Sequence, residues 1–415
     1  MITDKLLGST SGMGSIRNHY DVIMIGAGPV GGLMAKYLAE QDCTVLMIEE
    51  HLEIGKPFQC AGLVNPPAME IVGLYDTVLT EIYGARIHSP KGTVVPVGTD
   101  KVRTYAVCRK KFDQAVVSQA MVAGAELLLD SHPISAEVQE DFAKVEVDNS
   151  GEILNLTCNL IIGADGAHSW VRRNFKMGKP KEMMIGYQIE VSGYEGKDGW
   201  LDMYTGSDIA PGFFAWVVPN GETHRVGMWA RAADLDGKSC EEMVSKLMTH
   251  EMWKDRFQDC VETARFCGPI PGGVLRKPWK DRVLLIGDAA GLAKPTTGGG
   301  IGPGFRHVYD SYMELSKLIK NNNLTKKKIS KACKSIEKIR KEHDRARALR
   351  DFFVTTRDDD ELEKNFRIFS RDEVLSLINE KGDIDKPVPL GLALLKTVPE
   401  FRGMAVKAGF ALLFS

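Results

Sequence analysis

This 415-residue chain lacks several features that would fix its class at once. None of its eight cysteines (43, 60, 108, 158, 240, 260, 267 and 333) forms a C-x-x-C pair, so a zinc ribbon or a cysteine-ligated iron–sulfur centre has no basis. Thiols scattered in this way suit a reducing cytoplasm. His307 and His343 stand at no ligand spacing from another histidine, cysteine or carboxylate, and no metal is expected. No apolar run approaches the roughly 18 residues that cross a bilayer. That points to a soluble protein, or at most one held at the inner face of the cell membrane. The first 18 residues, MITDKLLGSTSGMGSIRN, contain no signal-peptide apolar core and read as a flexible leader. An excess of one charge is missing too: 53 basic and 55 acidic residues leave −2, which argues against a general nucleic-acid binder. The remainder is ordinary, 44% hydrophobic and 26% charged, in a chain long enough for two lobes or one large α/β unit.

Residues 20–25, YDVIMI, are a short apolar run of the kind that makes a buried parallel strand. The run leads into Gly26-Ala27-Gly28-Pro29-Val30-Gly31, a G-x-G-x-x-G, and then into the helical pattern GLMAKYLAEQ. A second strand, TVLMIEE, brings Glu49 about 20 residues after the glycines. Each part has a physical job. Gly26 permits a tight turn, Gly28 lets a pyrophosphate approach the backbone, and Gly31 lets helix pack on strand. The phosphates would meet the positive end of the helix dipole, and Glu49 would accept hydrogen bonds from the adenosine ribose. A glycine-rich turn in an empty α/β unit is the competing reading. The flanking strand, helix and acid together favour a dinucleotide.

Two later segments decide which dinucleotide. LIIGADGAHSWVRR (160–173) is an apolar strand that ends near Asp165, and VLLIGDAAGLAKPTTGGGIGPG (283–304) is another that ends at Asp288. With the front glycines, these resemble the p-hydroxybenzoate hydroxylase-like FAD-dependent superfamily, whose members carry the same three motifs in this order. The resemblance covers residues 20 to about 310. It implies that FAD is the cofactor and that Asp288 holds the ribityl chain. It also implies that Pro295, Gly299, Gly300 and Ile301 lead into a helix facing the flavin pyrimidine edge. A helix start there would stabilise a reduced anionic flavin. Arg109, in CRKKFD, matches the superfamily's Arg beside the cofactor, although a surface Arg at a helix start is the plainer reading. Asp165 is placed near the cofactor, or else only shapes its turn. No second G-x-G-x-x-G follows a strand, so a dedicated nicotinamide domain is not expected. Electrons would come from a ferredoxin-like protein or a small reductant.

Residues 211–219, PGFFAWVVP, crowd flat apolar side chains between two prolines and alternate too poorly for an ordinary half-buried strand. Pro211, Phe214, Trp216 and Pro219, with Val226-Gly227 further on, resemble the P-x-x-Y-x-W-x-F-P…V-G-x-G signature of the geranylgeranyl reductase family. KPFQCAGLV (56–64) resembles that family's P-x-x-C-G-E-G loop, which implies that Cys60, Ala61 and Leu63 lie beside flavin and substrate and that Cys60 is a proton donor or a shape element. Its bland reading is a buried filler. The departures are plain: Gln59-Cys60-Ala61-Gly62 lacks the family's Arg and acid, Phe214 replaces a Tyr, and Trp229 replaces a Gly. Members use reduced FAD to saturate double bonds of polyprenyl chains. An isoprenoid lipid is the implied substrate, an archaeal ether lipid or a prenylated quinone-type tail, and Pro211, Phe214 and Trp216 would line its path. Core packing is the alternative for the same stretch, and an FAD monooxygenase is the alternative activity.

The remaining pattern gives an α/β architecture with an α+β substrate lobe. A Rossmann-like FAD-binding domain is expected over 19–85, 105–180 and 280–325, an antiparallel-sheet substrate domain over 86–104 and 181–279, and a helical region over 326–415. One long helix is predicted across 325–353, where residues 326–350 carry eleven Lys/Arg against three acids. It is either a solvated face or a contact with anionic lipid. Ser370-Arg371-Asp372-Glu373 reads as a capping box for the next helix. Two apolar segments around Pro399 would pack in the core, close the substrate path or dip into a lipid surface.

Overall fold

The computed structural model describes residues 16–57, 60–351, 358–382 and 387–401. The expected leader therefore lies almost wholly outside the described residues, as does the second apolar segment of the tail.

Apolar runs too short for helices and too continuous for a wet sheet make the first sheet. Its path is β17 (Trp279–Lys280), β18 (Val283–Leu285), β11 (Glu152–Gly163), β1 (His19–Ile25), β2 (Val45–Ile48) and β8 (Glu126–Leu128). From β18 to β8 every neighbour is parallel. Val22 to Met24 have no exposed surface, so both faces of the sheet are covered, as a parallel sheet requires. β9 (Ser131–Val138) and β10 (Ala143–Asn149) extend the first half of β11 as an antiparallel arm. On one face lie α1 (Pro29–Ala39), α3 (Arg109–Val122) and the 20-residue α6 (Ile301–Lys320). A three-stranded sheet of β3 (Leu63–Val64), β7 (Thr104–Val107) and β4 (Val78–Ile82), with α2 (Pro66–Val72), carries the chain across to the second lobe.

That lobe is a seven-stranded sheet: β16 (Val261–Gly272), β12 (Glu182–Ser192), β15 (Thr223–Arg231), β14 (Ala210–Asn220), β13 (Trp200–Gly206), β5 (Gly84–His88) and β6 (Val94–Gly98). It is antiparallel except where β5 runs parallel to β13, a crossover that the sequence reading did not include. The stretch at 211–219 is a strand after all, in the middle of this sheet. Its poor alternation has a cause: both faces are covered. Ala215 and Val217 enter the lobe's own core, while Trp216 and Val218 pack with Leu63, Ile82 and Ala106 on the other side. α5 (Cys240–Met248), closed by a Ser239–Glu242 capping box, covers the core face.

The basic segment is two helices, α7 (Lys326–Ala332) and α8 (Ser335–Arg350), not one. Cys333 leaves helical geometry (φ −96°, ψ 23°) with its side chain buried, and the bend keeps Ile329 and Ile336 in one core. α9 (Asp359–Phe369), α10 (Asp372–Lys381) and α11 (Pro387–Thr397) follow. The Ser370 capping box does not form. With two residues between helices, Ser370 closes α9 by donating its N–H to Phe366 O and its hydroxyl to Arg367 O, and Arg371 starts α10 without a side-chain cap.

Candidate active site

Three strand ends, far apart in sequence, meet at one edge of the first sheet. Ile25 lies opposite Gly163, and Gly163 opposite Leu285. Backbone bonds tie the turns that follow: Gly26 N–H to Ile48 O (2.8 Å), Ala164 N–H to Ile25 O (2.8 Å) and Ile286 N–H to Gly163 O (2.9 Å). Gly26 has φ +96°, and a Cβ there would sit 2.5 Å from Ala164 O; at Gly31 it would sit 2.4 Å from Gly26 O. Nothing lies within 4 Å of a Cβ position at Gly28, so a phosphate can approach this turn. Gly28 is the N-cap of α1 with no side-chain acceptor, and Pro29 is its first residue. The side chain of Val30 fits the notches left by Gly287 and Gly304, and so joins the first motif to the third.

Acids and an arginine surround this edge. Glu49 accepts from Ala27 N–H (3.0 Å) and from His51 Nδ1 (2.6 Å), which leaves its carboxylate further acceptor capacity toward a ribose. Asp165 accepts from Val171 N–H (2.9 Å) at the start of the short helix α4 (Trp170–Asn174), and burial raises its pKa. Asp288 follows β18, and burial pushes its carboxyl up to about 6 against the pull of Arg109. A Cβ on Gly300 would fall 2.5 Å from Asp288 Oδ1, so only glycine lets α6 begin this close. α6 has Gly300 as N-cap without a side-chain acceptor, Ile301 as its first residue, and the Pro295–Gly299 loop leading in. Lys294 N–H donates to Gly299 O (3.2 Å) across that loop. Burial works against the Arg109 charge, but the paired Asp113 carboxylate (2.8 Å) more than offsets it and holds the guanidinium above its ordinary range. Cys60 lies close enough that its charge, were the thiol ionised, would act on the guanidinium in the same sense.

Cys60 and Asp288 thus both lie within electrostatic range of Arg109. Gly62 N–H donates to Cys60 Sγ (3.4 Å), and Leu63 begins β3, opposite Ala106. The aromatic strand meets this loop through one residue. Trp216 Nε1–H donates to Gln188 Oε1 (3.2 Å), and Gln188 Nε2–H reaches Cys60 O (3.5 Å). The indole lies over Gly227, where a Cβ would touch the ring at 2.7 Å, which is why the V-G pair is there. On the other side of Phe214 is a cavity of about 270 Å³, lined chiefly by Phe213, Phe214, Leu349, Phe369, Leu390 and Leu394. Arg350 closes one wall with its charge spent on Glu182 (2.9 Å), Asp351 (2.7 Å) and Pro295 O (2.8 Å).

Of the three residues expected to line one path, two touch: the Phe214 and Trp216 rings meet edge to face at 6.3 Å. Phe214 faces the cavity, Trp216 turns to the Cys60 loop, and Pro211, at the start of β14, lines no part of the cavity. Phe213, Gln188, Arg225 and the α9 and α11 side chains escaped the sequence reading. Phe213 alone carried a signal, beside Phe214. The others come from separate strands or from beyond the motifs. Among the described residues no cluster of His, Cys, Asp or Glu could hold a metal ion.

Residues 19–326 match the FAD binding domain family. A digeranylgeranylglycerophospholipid reductase of Methanocaldococcus jannaschii is 34% identical over 298 residues, 70% of this chain and 75% of the relative. An uncharacterized protein of the same organism is 29% identical over 385 residues, 92% of this chain and 96% of that protein. In fold, a geranylgeranyl bacteriochlorophyll reductase-like protein from Thermoplasma acidophilum superposes with a TM-score of 0.82 over 94% of this chain and 99% of that one, at 22% identity. Fold and glycine-capped helix starts define a flavin-dependent oxidoreductase with FAD as cofactor. Within that class, the chain belongs to the geranylgeranyl reductase family.

Proposed function

We propose that this flavoprotein saturates C=C bonds of geranylgeranyl chains, with those of archaeal-type membrane ether lipids as the first candidates. One observation carries the reading. The aromatic strand presents Phe214 to an apolar cavity and, two residues on, Trp216 to the Cys60 loop through Gln188. An isoprenoid offers no hydrogen-bond handle and needs such walls. The name of the relative from M. jannaschii supports the same substrate class.

In this reading Gly26, Gly28, Pro29, Val30, Gly31 and Glu49 hold the adenosine half of the cofactor. Arg109, Asp165, Asp288, Pro295, Gly299, Gly300 and Ile301, with Cys60, Ala61 and Leu63, surround the flavin half. Bound and reduced, the flavin supplies a hydride. The Cys60 thiol gives its proton to the other alkene carbon and regains one from solvent, with Arg109 beside the sulfur in between. Ring faces of Phe214 and Trp216 stabilise positive charge developing at the tertiary carbon. Electrons reach the flavin from a ferredoxin-like protein or a small reductant. No helix among the described residues is long and apolar enough to cross a membrane. Exposed lysines along α7 and α8 (326, 327, 328, 331, 334, 338 and 341) would rest against anionic headgroups.

The test is anaerobic. The yellow protein is reduced with dithionite, a geranylgeranyl lipid is added, and flavin reoxidation is followed while the lipid is weighed by mass spectrometry. Reoxidation with the lipid gaining hydrogens in pairs is expected, and Cys60→Ser should slow it. A flavin that stays reduced until oxygen enters would transfer the assignment to a monooxygenase or to a prenylated quinone-type tail.

A further inference from the structure

Arg225, on β15, is 3% exposed and belongs to no motif discussed above. Its Nη1 donates to Ala61 O (2.8 Å) and Val107 O (3.5 Å), and its Nε lies 3.6 Å from Glu190 Oε2. Buried cations are costly unless paired and hydrogen-bonded, so this one has a task that an apolar residue could not perform. The loop has adapted to it. Gly62 has φ +75°, and a Cβ there would lie 2.1 Å from Arg225 Nη1. Held in that turn, Gly62 points its N–H at Cys60 Sγ (3.4 Å) and accepts from Val107 N–H (2.9 Å). The neighbouring strand β12 adds Gln188, which joins Cys60 O to the Trp216 indole. Two strands of the second lobe thereby grip both peptide groups that follow the thiol, in a loop whose own sequence, Cys60-Ala61-Gly62, offers no charged side chain.

We propose that Arg225 is a positioning residue: with Gln188 it clamps the Cys60 loop to the aromatic strand, so that thiol and indole face the bound alkene as one surface. The role at the alkene rests on the reductase reading above; the clamp itself does not. Removing the guanidinium frees the Ala61 and Val107 carbonyls and lets the 60–64 turn relax away from β15. Lysine at 225 restores one donor without the fork and recovers part of the effect.

The experiment compares wild type with Arg225→Gln, Arg225→Lys and Gln188→Leu as FAD-loaded full chains. Three readouts are taken: anaerobic flavin reoxidation by the geranylgeranyl lipid, flavin reoxidation by oxygen, and amide hydrogen exchange of peptides covering 60–64 and 19–25. Arg225→Gln is expected to slow the lipid reaction at least about tenfold, the scale of one charge-assisted hydrogen bond. Reoxidation by oxygen and exchange at 19–25 stay unchanged, exchange at 60–64 accelerates, and Arg225→Lys falls between. Unchanged exchange at 60–64, or a lipid rate equal to that of a lipid-active wild type, overturns the proposal. So does parallel loss of the oxygen reaction and of protection at 19–25, because Arg225 would then serve only the fold. A wild type inert to the lipid, with selective acceleration at 60–64 in the variant, upholds the clamp and sinks the reductase reading instead.

Discussion

Gly300 illustrates how a missing side chain sets the geometry of this site. The helix start must approach Asp288, and any Cβ would occupy the place of its Oδ1. Gly300→Ala therefore pushes the carboxylate aside without disturbing the core. We expect FAD affinity to fall at least about tenfold, or about 1.4 kcal/mol, in equilibrium titration, with an unchanged far-UV spectrum. Equal affinity would remove Asp288 from cofactor contact. At this scale the sequence was legible for glycines, because a G-x-G-x-x-G between strand and helix has a short-range cause. It was less legible for Phe214 and Trp216, adjacent on one strand face but aimed at different neighbours.

Among the elements, α9 has the clearest job. Asp358 caps it by accepting from Glu361 N–H (2.7 Å), and its acids then fasten it to the second sheet. Asp359 accepts from Ser207 N–H (2.9 Å) and hydroxyl (2.8 Å), while the buried Glu363 accepts from Ser89 and from Thr93 (2.6 Å). Phe369 at the end of α9 forms part of the cavity wall. Glu363→Ala strands the Ser89 and Thr93 hydroxyls and should loosen α9 against the sheet. Hydrogen exchange is expected to rise in 359–369 and 387–397 and to stay constant in 19–25. A rise spread evenly over the chain would show general destabilisation and refute the specific docking. Apolar spacing foretold the helix over 325–353 but not α9 as a separate element. The break at Cys333 and the failed cap at Ser370 were not foreseeable either, since each depends on what the neighbouring helix demands.

Over the whole molecule, burial of titratable groups sets the acid limit. His307 and His343 have pKa values lowered to about 4, chiefly by burial, against an ordinary 6.5. Above 6.5 both are neutral, folded or unfolded, and contribute nothing. Between 6.5 and about 4 the unfolded chain binds protons that the folded one refuses, so stability falls with falling pH, by up to about 3 kcal/mol for each histidine. Asp288 opposes this, because its raised pKa lets the folded apoprotein take a proton first. Asp113 and Asp165, also raised by burial, act with Asp288. His88 and His224, lowered by burial, act with the two histidines, so four rings stand against three carboxyls. The Tm of the apoprotein should therefore drop from pH 6.5 to 4.5, and His307→Leu should flatten the drop. A flat profile in wild type would mean that one of these rings is already charged inside the protein.

The sequence by itself determined the cofactor class and the parallel sheet that binds it, because strand, glycine turn and acid act within a few residues of one another. It also carried, through a family resemblance, the expectation that the aromatic stretch at 211–219 and the Cys60 loop belong to the site. Only the tertiary structure decided how these meet. Arg225, Gln188, Glu363 and Arg350 act across more than 100 residues on groups in other strands or loops, Arg350 through Glu182. Such contacts leave no local period or spacing in the chain. They exist because burying a charge or a carbonyl obliges it to find a partner, wherever the fold has brought one.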